Sequence, residues 1–150
     1  MTAQVPDLLL LDGERLALFT NPLEQYFAMG GRKPGLRWSS TANWRCYVAT
    51  WEVVNDRLYL IDIEGDLENG EPASLAAVFP GYADRVFAHW YNGELRIPQG
   101  ERTNYVHMGY HSTFERDLLI TVVRGVLTQR RIQMNRPTIA IDDNGELVSE

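Results

Sequence analysis

Cysteine occurs once in this chain of 150 residues, at Cys46, and lysine once, at Lys33, against 13 arginines. A lone thiol excludes an internal disulfide and any multi-cysteine metal cluster. Long apolar runs are also missing: none approaches the roughly 18 residues that a membrane-spanning helix needs. The N-terminal stretch MTAQVPDLLLLDGERL has no basic segment, and its leucine run is too short for the core of a secretion signal. A reducing, cytoplasmic home without a membrane partner is the expectation. Phosphate loops of the Gly-x-Gly-x-x-Gly or Walker type are absent, as are His-Glu-x-x-His and the Gly-x-Ser-x-Gly elbow. The net charge of −6 argues against nonspecific nucleic-acid binding, which needs many phosphates neutralised.

What is present is ordinary globular material, 45% hydrophobic and 23% charged. A chain this long buries about 70% of its unfolded surface without disulfides or metals, and residues 1–150 read as a single globular domain. Short turn signals recur between apolar segments: LLLLDGERLALF, TWEVVNDRLYLIDI, FAHWYNGELRIP, LLITVVRGVLTQRRI and TIAIDDNGELVS. Asn-Gly and Asp-Gly tolerate the positive φ of tight hairpins, with Asn55-Asp56 and Arg124-Gly125 as weaker variants. Two short helices fit between them. Asn21-Pro22 opens PLEQYFAM and Gly30-Gly31 closes it; PASLAAVF stops at Pro80-Gly81. The fold class is therefore α+β and strongly β-rich, an antiparallel sheet of successive hairpins with two short helices. Gly30–Trp44 and the acidic Glu64–Pro72 read as loops.

Alternation assigns faces. Pairing across Asn55-Asp56 opposes Trp51 to Leu60 and Val53 to Leu58. It puts Asp62 and Glu64 on the Trp51 side, with Val48, Val54, Ile61 and Ile63 on the other. Pairing across Asn92-Gly93 sets Val86, Ala88, Trp90, Leu95 and Ile97 on a core face. Phe87, His89, Tyr91, Glu94 and Arg96 fall on a mixed face suited to a wet surface or a cleft wall. In YVHMGY, Val106, Met108 and Tyr110 point inward, and Tyr105 and His107 share the other face.

The segment RIPQGERTNYVHMGYHSTFERD concentrates histidine, tyrosine and charge. His107 and His111 have the spacing of helical metal ligands, but a strand spreads four residues over roughly 13 Å, so no metal is expected. Cys46 with His89 or His107 as base would make a nucleophile pair. Its setting, WRCYVATW, is nonetheless that of a buried, inert thiol. Ser39, Ser40, Thr41 and Ser112 are nucleophiles by residue type only. No catalytic residue and no cofactor is assigned, and the reading leans away from an enzyme. What remains is a binding surface of the residue types that dominate interfaces and line pockets. The candidates are Arg37, Trp38, Trp44, Arg45, His89, Tyr91, Arg96, Tyr105, His107, His111, Glu115 and Arg116, with Tyr110 beside them.

The blocks NWRCYVATWEV, LYLIDIEG, FAHWYNGELRIPQGE and YVHMGYHSTFERDL, covering roughly Leu23 to Val126, resemble a group of small, uncharacterised bacterial single-domain proteins. The resemblance implies a stand-alone bacterial domain and carries over no catalytic residue. Small acidic bacterial proteins of this build are often immunity proteins, an analogy of build rather than motif. The expected function is thus a cytoplasmic protein-binding domain, an immunity-type inhibitor that occludes a partner toxin. An acidic surface suits salt-sensitive capture of a basic toxin domain. The alternative is a small-molecule enzyme or ligand sensor with a cleft lined by His89, Arg96, Tyr105, His107 and Glu115. Edge strands that pair between copies leave a homo-oligomer open.

Overall fold

The computed structural model describes residues 4–31, 33–38, 42–82, 84–104, 110, 113–135, 139–141 and 147–149. Along the chain lie β1 (Asp7–Leu11), β2 (Glu14–Leu18), α1 (Pro22–Ala28), β3 (Val48–Val54), β4 (Arg57–Glu64) and α2 (Leu75–Val78). They are followed by β5 (Val86–Phe87), β6 (Gly93–Asn104), β7 (Thr113–Val123), β8 (Val126–Met134), β9 (Ile139–Ile141) and β10 (Leu147–Ser149). The main sheet runs β2-β1-β3-β4-β8-β7-β6, with β5 also on β4; β9 and β10 form a separate pair. Its ends curl toward each other, since Phe19 N–H, just past β2, donates to Arg96 O in β6 at 2.7 Å.

The tight turns form where their chemistry allows. Asp12-Gly13 (φ 52° and 82°), Asn55-Asp56 (52° and 59°) and Arg124-Gly125 (48° and 81°) each take positive φ at both central residues. Such turns match the right-handed twist of the strands they join. The expected register across Asn55-Asp56 holds, with Trp51 opposite Leu60 and Val53 opposite Leu58. β9 and β10 also pair antiparallel, Ile141 opposite Leu147; their connection lies outside the described residues.

Three expectations need correction. The sheet is mixed, because β1 and β3 run parallel, Leu9 beside Trp51; the chain between them returns through α1 and a long loop. A β-bulge after Leu60 reverses the far half of β4: Thr50 pairs with Asp62 and Ala49 with Ile63, leaving Ile61 as the extra residue. The extra residue shifts the alternation. Ile63 therefore enters the core at 3% exposure, while Asp62 and Glu64 face solvent. Asn92-Gly93 makes no hairpin, since β5 pairs with β4 and β6 with β7. Asn92 stays out of positive φ. Its backbone is instead clasped by Gln25, whose amide donates to Asn92 O and whose Oε1 accepts from Asn92 N–H, both at 2.9 Å.

The helices are placed as read. Asn21 precedes Pro22 at the start of α1, but its side chain donates to Tyr110 Oη at 2.8 Å instead of capping the helix. α1 lies over an aromatic cluster in which the Tyr26 and Phe79 rings pack on Trp90, and Trp90 meets Trp51 edge-on. Trp90 Nε1–H donates to Pro22 O at 3.0 Å, which ties α1 to the chain leading into β6. The core face expected for Val86, Ala88, Trp90, Leu95 and Ile97 is buried throughout.

Candidate functional site

The chain has four tryptophans. Trp51 and Trp90 are core residues at 0% and 4% exposure, whereas Trp38 and Trp44 stand 59% and 45% exposed. Both exposed rings belong to the loop between α1 and β3, and that loop is fastened at several points. Leu36 bridges to Leu67, Arg37 N–H donates to Asp66 O at 2.7 Å, and Glu68 N–H donates to Gly35 O at 3.0 Å. The partner segment is itself folded, with Asp66 bridged to Pro72 and Leu67 N–H bonded to Glu71 O. Gly70 sits at φ 89° in its turn, a conformation that favours glycine. Two loops expected from composition thus form one small platform. Between them lies an open recess of about 320 Å³ lined by Pro34, Gly35, Leu67, Glu68, Asn69 and Ala77. Asp66, Glu68 and Glu71 are exposed on one loop, and Lys33 and Arg37 on the other, with Arg37 Nη2 donating to Glu68 O at 3.5 Å.

Trp44 is held differently. Its N–H donates to Gln4 Oε1 at 2.6 Å, and Val5 N–H donates to Ala42 O at 2.7 Å. The next residue turns inward: the Arg45 guanidinium pairs with Asp7 at 2.7 Å, with side-chain exposures of 6% and 0%. Asp7 also accepts from Ala49 N–H at 3.0 Å and Trp51 Nε1–H at 3.1 Å. Burial pushes the Asp7 carboxyl above its ordinary value of 3.8, with the Arg45 charge and these donors pulling against it. A buried ion pair therefore anchors the turn that displays Trp44. Beside it, burial and the Glu24 and Asp7 charges drive the Tyr47 hydroxyl far above the ordinary tyrosine range.

The other candidates fall elsewhere. Arg96 is half-buried in β6, its Nε 3.2 Å from Asp117 Oδ2, its Nη1 donating to Tyr110 O at 2.6 Å, and its plane 5.2 Å from the Phe19 ring. Tyr110 stacks on Phe19 at 5.0 Å, and burial raises its hydroxyl pKa. Asp117 also accepts from Asn135 Nδ2 at 2.8 Å. On β7, Arg116 donates to Gln99 Oε1 at 3.2 Å, with Glu115 at 3.8 Å. Tyr91 is 6% exposed, and its hydroxyl, bonded to Glu94 O at 2.7 Å, is pushed up to about 12 by burial and the Glu94 charge. His89 is exposed, its ring edge-on to Trp90, and nothing among the described contacts joins it to Arg96. The mixed face expected to hold both is therefore not formed. Tyr105, His107 and His111 lie outside the described residues.

Asp7 and Asp117 were missed in the sequence, although a signal for one exists. Asp7 has the phase of Leu9 and Leu11 in β1, and those residues face the core. Among the described residues, no group of histidine, cysteine and carboxylate side chains is arranged to hold a metal. No helix is long and apolar enough to cross a membrane. Comparison with protein-family models, with curated proteins and with solved structures finds no match.

Proposed function

We propose that this chain is a protein-binding domain whose contact surface is the α1–β3 loop, with Trp38 on the two-loop platform and Trp44 on the turn held by the Asp7–Arg45 pair, and that it works as an immunity-type inhibitor occluding a basic toxin domain. The observation that carries the reading is the exposure of Trp38 and Trp44 on an anchored loop, while the other tryptophans are buried. Exposed aromatic rings on a fixed backbone offer large contact area at little entropic cost, and tryptophan and arginine are the residues richest in binding hot spots. Arg37 adds a planar donor fork beside Trp38, and the carboxylates of Asp66, Glu68 and Glu71 supply an acidic rim. Such a rim accelerates encounter with a basic partner and weakens as salt rises. A platform of this kind would fit a standard interface of about 1,200–2,000 Å².

The test is binding to a basic toxin domain by wild-type protein and by a Trp38→Ala, Trp44→Ala variant. The proposal expects the variant to lose more than tenfold in affinity with its thermal unfolding unchanged. Equal affinity in both proteins would move the contact surface elsewhere.

A further inference from the structure

We propose that β8 pairs with β8 of a second copy, antiparallel and centred on Ile132, so that the sheets of both copies join in a symmetric dimer. β8 is paired along its length with β7, but its other edge meets β4 only where Val126 lies beside Arg57 and Leu127 N–H donates to Asp56 O. Among the described residues, no strand covers the edge of 128–134, and every side chain of that stretch is exposed. Ordinary proteins cover or blunt such an edge.

The side chains say what fits it. Residues directly opposite in adjacent strands share a face. Ile132 opposes Leu118, which opposes Ile97, and Arg130 opposes Ile120, which opposes Leu95. Leu95, Ile97 and Ile120 are core residues at 0% exposure, so Ile132 and Met134 extend the core face of the sheet. Yet they are 52% and 66% exposed. A partner strand there would complete the hydrogen bonding and continue the apolar layer together.

A second β8 meets both needs. When a strand pairs antiparallel with its own copy, the core faces coincide only if the two-fold axis passes through a residue. Centring on Arg130 or Arg131 sets arginine against arginine, which is repulsive. Centring on Ile132 overlaps more of the strand than centring on Gln133, and it joins Ile132 to its copy, Arg130 to Met134 and Arg131 to Gln133. The arginines need nothing from the partner, because Arg130 is paired with Asp12 at 2.9 Å and Arg131 with Glu94 at 3.1 Å. A two-fold contact of this kind is self-complementary and closes on itself. Its small area puts it at the weak end of protein interfaces.

Sedimentation of the full chain over a wide concentration range tests this directly. Wild-type protein is expected to dimerise and to dissociate on dilution. Ile132→Arg, at an already exposed position, should abolish the dimer while leaving the thermal midpoint unchanged at dilutions where wild type is also monomeric. In a Cys46→Ser background, Ile132→Cys should oxidise to a covalent dimer, since opposed Cβ atoms lie about 4.5–5.5 Å apart. Gln129→Cys should not, because the two copies of that residue would sit roughly 20 Å apart along the strands. A wild-type monomer at the highest concentrations would overturn the proposal. A dimer that survives Ile132→Arg would overturn it as well.

Discussion

Replacing Arg45 by alanine isolates the ion pair on which the Trp44 turn rests. Asp7 loses its only charged partner among the described residues, at 2.7 Å, and keeps two neutral donors, Ala49 N–H and Trp51 Nε1–H. With side-chain exposures of 6% and 0%, the pair is shut away from the protein surface. Removing one member of a buried pair costs about 3–5 kcal/mol, and the surviving donors place the expected loss near the lower end. For a chain of this size that lowers the thermal midpoint by roughly 10 °C, at about 2–4 °C per kcal/mol. The sign of the pH dependence follows from the carboxyl. Burial already holds its folded-state pKa above 3.8, and losing the Arg45 attraction raises it further. Between 3.8 and that raised value the folded protein binds more protons than the unfolded one, so this group's contribution to stability falls as pH rises. The deficit of Arg45→Ala relative to wild type should thus be full at neutral pH and shrink in acid. Urea unfolding at neutral and at acid pH measures both quantities. An Asp7→Leu, Arg45→Met variant should lose much less than Arg45→Ala, because no lone charge remains buried. A loss below about 1 kcal/mol for Arg45→Ala, or one independent of pH, would mean that Asp7 is not a buried, partnered charge.

Other outcomes follow from the same geometry. Trp51→Ala should destabilise by about 3–5 kcal/mol in chemical denaturation, whereas Trp38→Ala should stay within about 0.5 kcal/mol of wild type. Gly125→Ala should cost more than about 1 kcal/mol, since φ is +81° and an added Cβ would lie 2.6 Å from Ala88 O. A wild-type thermal midpoint in that variant would show that the β7–β8 turn is not so tightly held. Tyr91 keeps its proton up to about 12 in the folded state, against 10.0 ordinarily, so stability should fall as pH rises from 10.0 toward 12. Ultraviolet difference titration and unfolding at alkaline pH check this, and Tyr91→Phe should make the fall shallower, with Tyr47 and Tyr110, also raised by burial, supplying the rest.

Local turn chemistry made much of the fold legible in the sequence. Asp12-Gly13 and Asn55-Asp56 take the expected conformation because Asp, Asn and Gly tolerate positive φ, Arg124 takes it beside Gly125 in the β7–β8 turn, and the β3–β4 register follows from turn length. Asn92-Gly93 carries the same signal and goes another way, because Gln25 of α1 holds Asn92 and Tyr91 is drawn into the core. That contact spans distant residues and leaves no mark in the local pattern. The bulge at Ile61 is equally silent, and it moves Ile63 onto the face of Ala49 and Trp51 and takes Asp62 and Glu64 off it. Parallel pairing of β1 with β3 depends on a long return through α1, which no turn motif announces. The surface proposed for binding was marked by residue type at Arg37, Trp38 and Trp44, but not their separation from the Arg96–Asp117–Tyr110 cluster. Alternation placed Trp90 on a core face, where it is buried, whereas the exposure of Trp38 and Trp44 is set by where their loop docks.

The measurement that bears most directly on the proposed role is capture from a lysate of the native host, with wild-type protein and the Trp38→Ala, Trp44→Ala variant side by side, read by native mass spectrometry. The expected result is a stoichiometric basic protein bound to wild type, released by salt and missing from the variant. The same protein on both baits, or a small bound mass with no protein, would contradict the role assigned to the tryptophan platform.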